Sequence, residues 1–205
     1  MKQVASFNIK QLNILTLGLE KDCEANVSRV APLARRRLSQ CAKFSFSATA
    51  DLDLEQPIVF SSYLGEINRC FDLLSTLKDE VSPASFSLSV LNAVAALLSI
   101  EDKNHNEILA ISAPASFEYG VLNALKFDRA MVISYFEGVN KDYFKSNPFC
   151  IAVAASITKG DEYTLSFEPS DKPFEISELN VFKNFNKNTS WTTSDGALTW
   201  KWQKI

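Results

Sequence analysis

The sequence predicts an α/β fold: a mostly parallel sheet with helices on its faces, completed by an antiparallel hairpin toward the C-terminus. Three observations predict it. Between residues 57 and 136, short apolar runs alternate with segments of helical period, in the order strand, helix, helix, strand, helix, strand. The runs PIVFSS, EILAIS and RAMVISYF have the character of strands covered on both faces, which belong in parallel sheets joined by right-handed crossovers. Further on, FCIAVAASI and EYTLSFE flank Thr158-Lys159-Gly160-Asp161, the pattern of a hairpin with a glycine turn.

Taken in order, the first 28 residues read as a short strand and a loop, with partial alternation in FNIKQLNIL. A helix follows from Pro32 to about Thr49, since proline suits a first helical turn. PIVFSS, residues 57–62, is a short buried strand. Leu64, Ile67, Phe71, Leu74 and Leu77 then recur every three or four positions and give the next helix one apolar face. The element from Ser82-Pro83 to about Ile100 is apolar nearly all round, carrying Phe86, Leu88, Val90, Leu91, Val94, Leu97 and Leu98 among alanines. Such a helix is buried all round, in a core or in a subunit interface. EDKNHNE is a polar turn, EILAIS a strand, Ser116 to Lys126 a helix, and RAMVISYF, residues 129–136, a strand. From Pro169 the chain is polar and irregular until SWTTSDGALTWKW, whose Trp191, Trp200 and Trp202 either form a closing strand or anchor the tail. The expected division is a domain over residues 1–168 and an irregular extension, 169–205, packed on it.

Composition narrows the function classes. A chain of 205 residues with 46% hydrophobic and 22% charged residues supports one domain with a packed core. Fifteen phenylalanines imply large buried or partner-facing aromatic surfaces. A formal charge of -3 gives no reason to expect nucleic acid. Charge is uneven, however: residues 1–46 hold eight Lys/Arg against three Asp/Glu, with Arg35-Arg36-Arg37 at the centre, and residues 51–82 hold seven acids against two bases. This suits docking to a charged protein, and two solvated faces explain it equally well. Cys23, Cys41, Cys70 and Cys150 are widely separated and His105 is the only histidine, so the usual zinc spacings and a disulfide framework are excluded. No metal or cofactor is expected. The N-terminus lacks an apolar signal core and no run reaches the roughly 18 apolar residues of a membrane span, which points to a reduced, soluble, cytoplasmic protein.

Four landmarks carry a family resemblance. They are ARRRLSQCAKF at 34–44, VFSSYLGEINR at 59–69, VSPASFSLSVLNAVAALLSI at 81–100, and SAPASFEYGVLNAL at 112–125 followed by DRAMVIS. In this order they make residues 29–158 similar to the N-terminal half of β-ketoacyl-acyl carrier protein synthases, enzymes of the thiolase fold, whose Ser-Pro pair precedes an Asn at the spacing of Pro83 and Asn92. The nearest resemblance is to the short ketosynthase-like chain-length factors of aryl polyene clusters. Two departures matter. The family's nucleophilic cysteine lies in a Thr-Ala-Cys-like elbow, and Ser112-Ala113-Pro114 falls on those positions, so Pro114 stands where the cysteine would be. Proline brings no nucleophile and no backbone N–H for an oxyanion hole. Ketosynthases also draw two histidines, or a histidine and an asparagine, from a second half that these 205 residues do not include, and His105 in its polar loop cannot supply that pair.

The resemblance therefore implies a single ketosynthase half-unit without catalysis, a chain-length factor paired with an active ketosynthase in polyketide or fatty-acid-like synthesis. Acyl carrier protein would reach it through that complex. In such pairs the inactive subunit walls the acyl tunnel, and its helices beside the elbow set product length. The candidate tunnel and interface residues are Phe86, Val90, Asn92, Ser112, Ala113, Ala115, Ser116 and Phe117. Two other readings stay open: a non-enzymatic scaffold for another acyl-processing assembly, and an acyl hydrolase or transferase using Ser116. Ser116 otherwise serves as a helix-starting serine, and Cys150 as a small buried hydrophobe.

Overall fold

Crossover segments decide which strands run parallel. The fold is that of a computed structural model describing residues 3–20, 22–78, 81–141, 144–145 and 149–205. Strand β1 is Gln3–Leu17, followed by helices α1 (Pro32–Arg35) and α2 (Gln40–Ala48). Strand β2 (Ile58–Ser61) leads through α3 (Ile67–Ser75), α4 (Pro83–Ser87) and α5 (Ala93–Glu101) to β3 (Ile108–Ile111). Helix α6 (Ser116–Ala124) then returns the chain to β4 (Arg129–Glu137). The pairs β2–β3 and β2–β4 are parallel, as a strand needs a crossover to re-enter from the same end.

The rest of the sheet is antiparallel, which corrects the expectation of a mostly parallel one. After β4 the chain passes through a two-stranded ribbon, β5 (Asn140–Lys141) and β6 (Phe144–Lys145), into β7 (Cys150–Lys159), β8 (Tyr163–Pro169), α7 (Ser177–Asn184), β9 (Ser190–Ser194) and β10 (Leu198–Lys204). The sheet order is β3-β2-β4-β7-β1-β8-β10-β9, and every pairing from β4 outward is antiparallel. Among the described residues no helix lies between β4 and β7, and β7 pairs antiparallel with β4.

The hairpin at Gly160 is also corrected: β7 and β8 do not pair with each other, because β1 lies between them. Residues Phe7–Leu17 pair with β7 and Gln3–Phe7 with β8. The turn crosses β1 at Asn8, whose Oδ1 accepts the N–H groups of Asp161 and Glu162. Gly160 passes so close that a Cβ there would stand 2.2 Å from the Asn8 side chain.

Two expected long helices are each broken by serine. Ser39 caps α2 by accepting from the Ala42 N–H at 3.0 Å, which separates it from α1. Between α4 and α5, the Ser87 and Ser89 hydroxyls donate to the Ala84 and Phe86 carbonyls. The 83–100 segment is not buried all round: Ala93, Val94, Ala95 and Leu98 face the core, whereas Phe86 and Ile100 are 65% and 70% exposed.

Side chains alternate across β2, so Ile58 and Phe60 join Phe44, Leu98, Met131 and Ile133 under α2 and α5. Val59 joins Phe117, Val121, Val132 and Trp202 under α6 and α7. The three tryptophans sit in β9 and β10, as a closing strand pair, with Trp191 stacked on Trp202 at 5.2 Å and Trp202 stacked on Phe117 at 5.7 Å. Where the polar sequence read as irregular, α7 therefore closes over β4 and β7 and the tail supplies two strands. Among the described residues no helix is long and apolar enough to cross a membrane.

Candidate functional site

Residues 112–115 form the elbow between β3, at one edge of the sheet, and α6. The segment after β2 braces it. Ser62 N–H donates to the Ile111 carbonyl at 3.0 Å, and Ser112 Oγ donates to the Tyr63 carbonyl at 3.3 Å. Ser62 Oγ donates to the Tyr135 carbonyl and accepts from the Gly65 N–H, so the end of β4 is tied into the same bracket. Gly65 has φ +56°, a conformation that favours glycine, and an added Cβ would press on Leu91 Cδ1 at 3.2 Å.

Pro114 stands half-buried at the tip, with Ala113 and Ala115 buried on either side and Ser112 exposed. Ser116 opens α6 but is buried, and its hydroxyl donates to Glu178 Oε1 at 2.5 Å. Ser134 Oγ donates to the same oxygen. One position along, Phe117 lies in the core, its backbone N–H donating to Ser177 Oγ at 3.1 Å. Phe86 and Val90 are exposed on and after α4, and exposed Asn92 precedes α5 without a capping side-chain bond. The eight predicted residues thus separate into an elbow group, an exposed α4–α5 group, and two buried side chains, Ser116 and Phe117.

Sequence reasoning missed Glu118 and Glu178, buried beneath the elbow at 0% and 1% exposure. Glu118 accepts from Ser177 Oγ at 2.5 Å and from Trp202 Nε1 at 3.0 Å. Burial pushes the Glu178 carboxyl from its ordinary 4.5 up to about 6 against the pull of the Ser116 and Ser134 hydroxyls. Burial likewise raises Glu118, opposed by Ser177 and Trp202. Glu118 carries one signal, a place in the first turn of a predicted helix, which normally marks a solvated position, and Glu178 lies in a stretch that reads as irregular.

At the elbow Pro114 brings no nucleophile, Ser116 is sealed from solvent with its proton directed at Glu178, and exposed Ser112 gives its hydroxyl proton to the Tyr63 carbonyl. Burial lifts the Cys41 thiol well above its ordinary value and pushes Cys150 up to about 12, so both remain unreactive thiols. His105 is exposed in the loop before β3. Of Arg35 to Arg37, Arg35 donates to the Val30 and Ser28 carbonyls as a structural clamp, and Arg36 and Arg37 are exposed. A separate polar cleft of about 450 Å³ lies at the carboxyl ends of β2 and β4, lined by Ser39, Glu66, Asn68, Arg69, Ser85 and Glu137. Within it Glu66 accepts from Ser39 Oγ at 2.6 Å and pairs with Arg69 at 2.9 Å.

This arrangement, strands around an elbow that feeds a buried helix, is the thiolase-like α/β architecture. The β-ketoacyl synthase N-terminal domain family matches residues 16–203, and the chain belongs to that family. Among solved structures it is similar to a chain of the complex of the ketosynthase ApeO with its chain length factor ApeC from Xenorhabdus doucetiae. The identity is 20% and the TM-score 0.80, over 98% of this chain and 100% of that one. It also matches PksG, an HMG-CoA synthase from Bacillus subtilis, at 13% identity and TM-score 0.45, over 89% of this chain and 50% of that one. No curated protein sequence matches.

Proposed function

We propose that this chain is a non-catalytic, chain-length-factor-type subunit that pairs with an active β-ketoacyl synthase and shapes its acyl tunnel. The observation that carries the reading is Pro114: a ketosynthase-family elbow presents a residue that can neither be acylated nor donate a backbone hydrogen bond, beside a serine that substrate cannot reach. The likeness to a chain from a ketosynthase and chain length factor complex supports the same reading at the level of fold.

The partner would cover the face beside the elbow. Among the described residues strand β3 pairs with β2 alone and offers an open edge of Ile108, Leu109, Ala110 and Ile111, an apolar edge that soluble proteins normally cover. Phe86, Val90 and Ile100 add exposed apolar side chains from the segments that precede β3. Phe86 and Val90 are the positions proposed to meet the partner or its acyl chain. Aryl polyene synthesis is the pathway class the resemblance suggests, with the carrier protein engaging through the active subunit.

Co-expression with candidate ketosynthases, followed by size-exclusion chromatography and product analysis, tests the proposal. A stable complex whose product length shifts when Phe86 or Val90 is replaced supports it. A monomer indifferent to ketosynthases overturns it, and a complex with unaltered product length favours a scaffold.

A further inference from the structure

Beneath the elbow, the first turns of α6 and α7 meet, and each helix supplies a serine to the other's glutamate. Ser116 donates to Glu178 at 2.5 Å, and Ser177 donates to Glu118 at 2.5 Å. The remaining contacts come from neighbouring strands: the Ser134 hydroxyl of β4 on Glu178, the Trp202 indole N–H of β10 on Glu118 at 3.0 Å, and the Thr193 hydroxyl of β9 near Glu118. Glu118 is a charged group acting on Glu178, and among the described residues no lysine, arginine or histidine forms an ion pair with either. The positive ends of both helices favour a buried negative charge here. Two such charges taken from water into one site repel each other.

We propose that this cluster is a proton-sensitive latch: α7 and the strap before it, residues 170–176, dock firmly while the Glu118/Glu178 pair retains a proton, and loosen when both carboxyls are ionised. The strap connects the latch to the elbow surface. The Phe174 ring packs on Tyr63 at 5.4 Å, and the Tyr63 carbonyl accepts from Ser112. At its other side the strap is pinned to β9 by the Glu175 N–H on the Ser194 carbonyl at 2.8 Å and by Glu175 Oε2, which accepts from the Ser194 N–H. The proposal is independent of the chain-length reading, which uses neither glutamate.

The direction follows from linkage. A carboxyl raised in the folded state stabilises docking fully below its ordinary value and loses that contribution as pH rises through the raised one, so docking weakens between pH 4.5 and about 6.

Hydrogen–deuterium exchange on the full chain between pH 5 and 8, with each rate referred to intrinsic exchange, tests the latch. Peptides covering 177–184 are compared with peptides from β4. Protection of α7 relative to β4 is expected to fall by up to about 8-fold across this range, the part of the shift from 4.5 to about 6 that is lost between pH 5 and 8. Glu178→Gln is expected to make the profile shallower, because the carboxyl whose burial lifts it from 4.5 to about 6 no longer titrates. A flat wild-type profile, or a variant as steep as the wild type, overturns the latch. Glu118→Gln makes the same comparison should Glu178→Gln not fold.

Discussion

The Ser116 hydroxyl donates to Glu178 Oε1 at 2.5 Å with both side chains buried, and this bond joins the elbow to the C-terminal helix across 62 residues of sequence. At a position where a nucleophile would need an approach path, the serine proton points inward to a carboxylate. Replacing Ser116 with alanine leaves that carboxylate short of one donor in a dry site, and hydrogen bonds to charged groups contribute about 1.5–3 kcal/mol. Denaturant titration of Ser116→Ala at pH 7.5 is therefore expected to show a loss of that size, with product formation by the assembly unchanged once the complex has formed. Loss of product without loss of stability would restore a catalytic role to Ser116.

Gly120 lies in α6 against strands β2 and β4. An added Cβ would stand 2.8 Å from Val132 Cγ1 and 3.4 Å from Ser61 Cβ. Gly120→Ala improves helix propensity by about 1 kcal/mol, yet overpacking a closed core typically costs about 1–3 kcal/mol, and here the neighbour is a β-branched side chain held in a strand. A thermal midpoint several degrees below the wild type is expected; an equal or higher midpoint would show that Val132 can yield.

Much of this architecture was legible because it is local. The apolar runs at 58–61, 108–111 and 129–136 are strands, and the small residues 113–115 do form the elbow. The sheet's direction was not legible, since strand sense depends on what lies between neighbours, and β1 enters between β7 and β8 from about 140 residues away. A glycine turn looks the same whether its flanking strands pair or straddle a third. The 83–100 segment reads as one buried helix on hydrophobicity alone, whereas its serines bond backbone carbonyls and divide it, leaving Phe86 outside. Glu118 and Glu178 were invisible for the opposite reason: nothing in a charged residue announces that two helix ends and the hydroxyls of Ser116, Ser134 and Ser177 will enclose the pair.

A thiol at the tip of the elbow is not expected to restore condensation. Pro114→Cys recovers a nucleophile and a backbone N–H, but among the described residues the elbow has no histidine, and His105 lies in the exposed loop before β3. Decarboxylative condensation needs groups to stabilise the developing charge, and these supply the larger part of the rate. Intact-mass analysis after incubation with an acyl donor, alongside a product assay on the chain alone, is expected to show at most a slowly formed adduct and no elongated product. Sustained turnover would require a catalytic apparatus within this chain and would sink the subunit reading.

Phe86 and Phe117 offer a way to separate folding from the proposed assembly. Phe117 is fully buried and stacked on Trp202, whereas Phe86 is 65% exposed on α4. Phe117→Ala removes a core ring and is expected to destabilise the chain by about 3–5 kcal/mol with or without a partner. Phe86→Asp places a charge where solvent already reaches, so the isolated fold is expected to change by no more than about 0.5 kcal/mol. In a complex that buries this face, the same charge loses its hydration, and the dissociation constant is expected to rise at least about tenfold, equivalent to about 1.4 kcal/mol. Melting curves and a binding isotherm with a co-purifying ketosynthase distinguish the two cases. If Phe86→Asp binds as tightly as the wild type, the α4 face is not the partner surface and the interface must lie elsewhere along the open β3 edge.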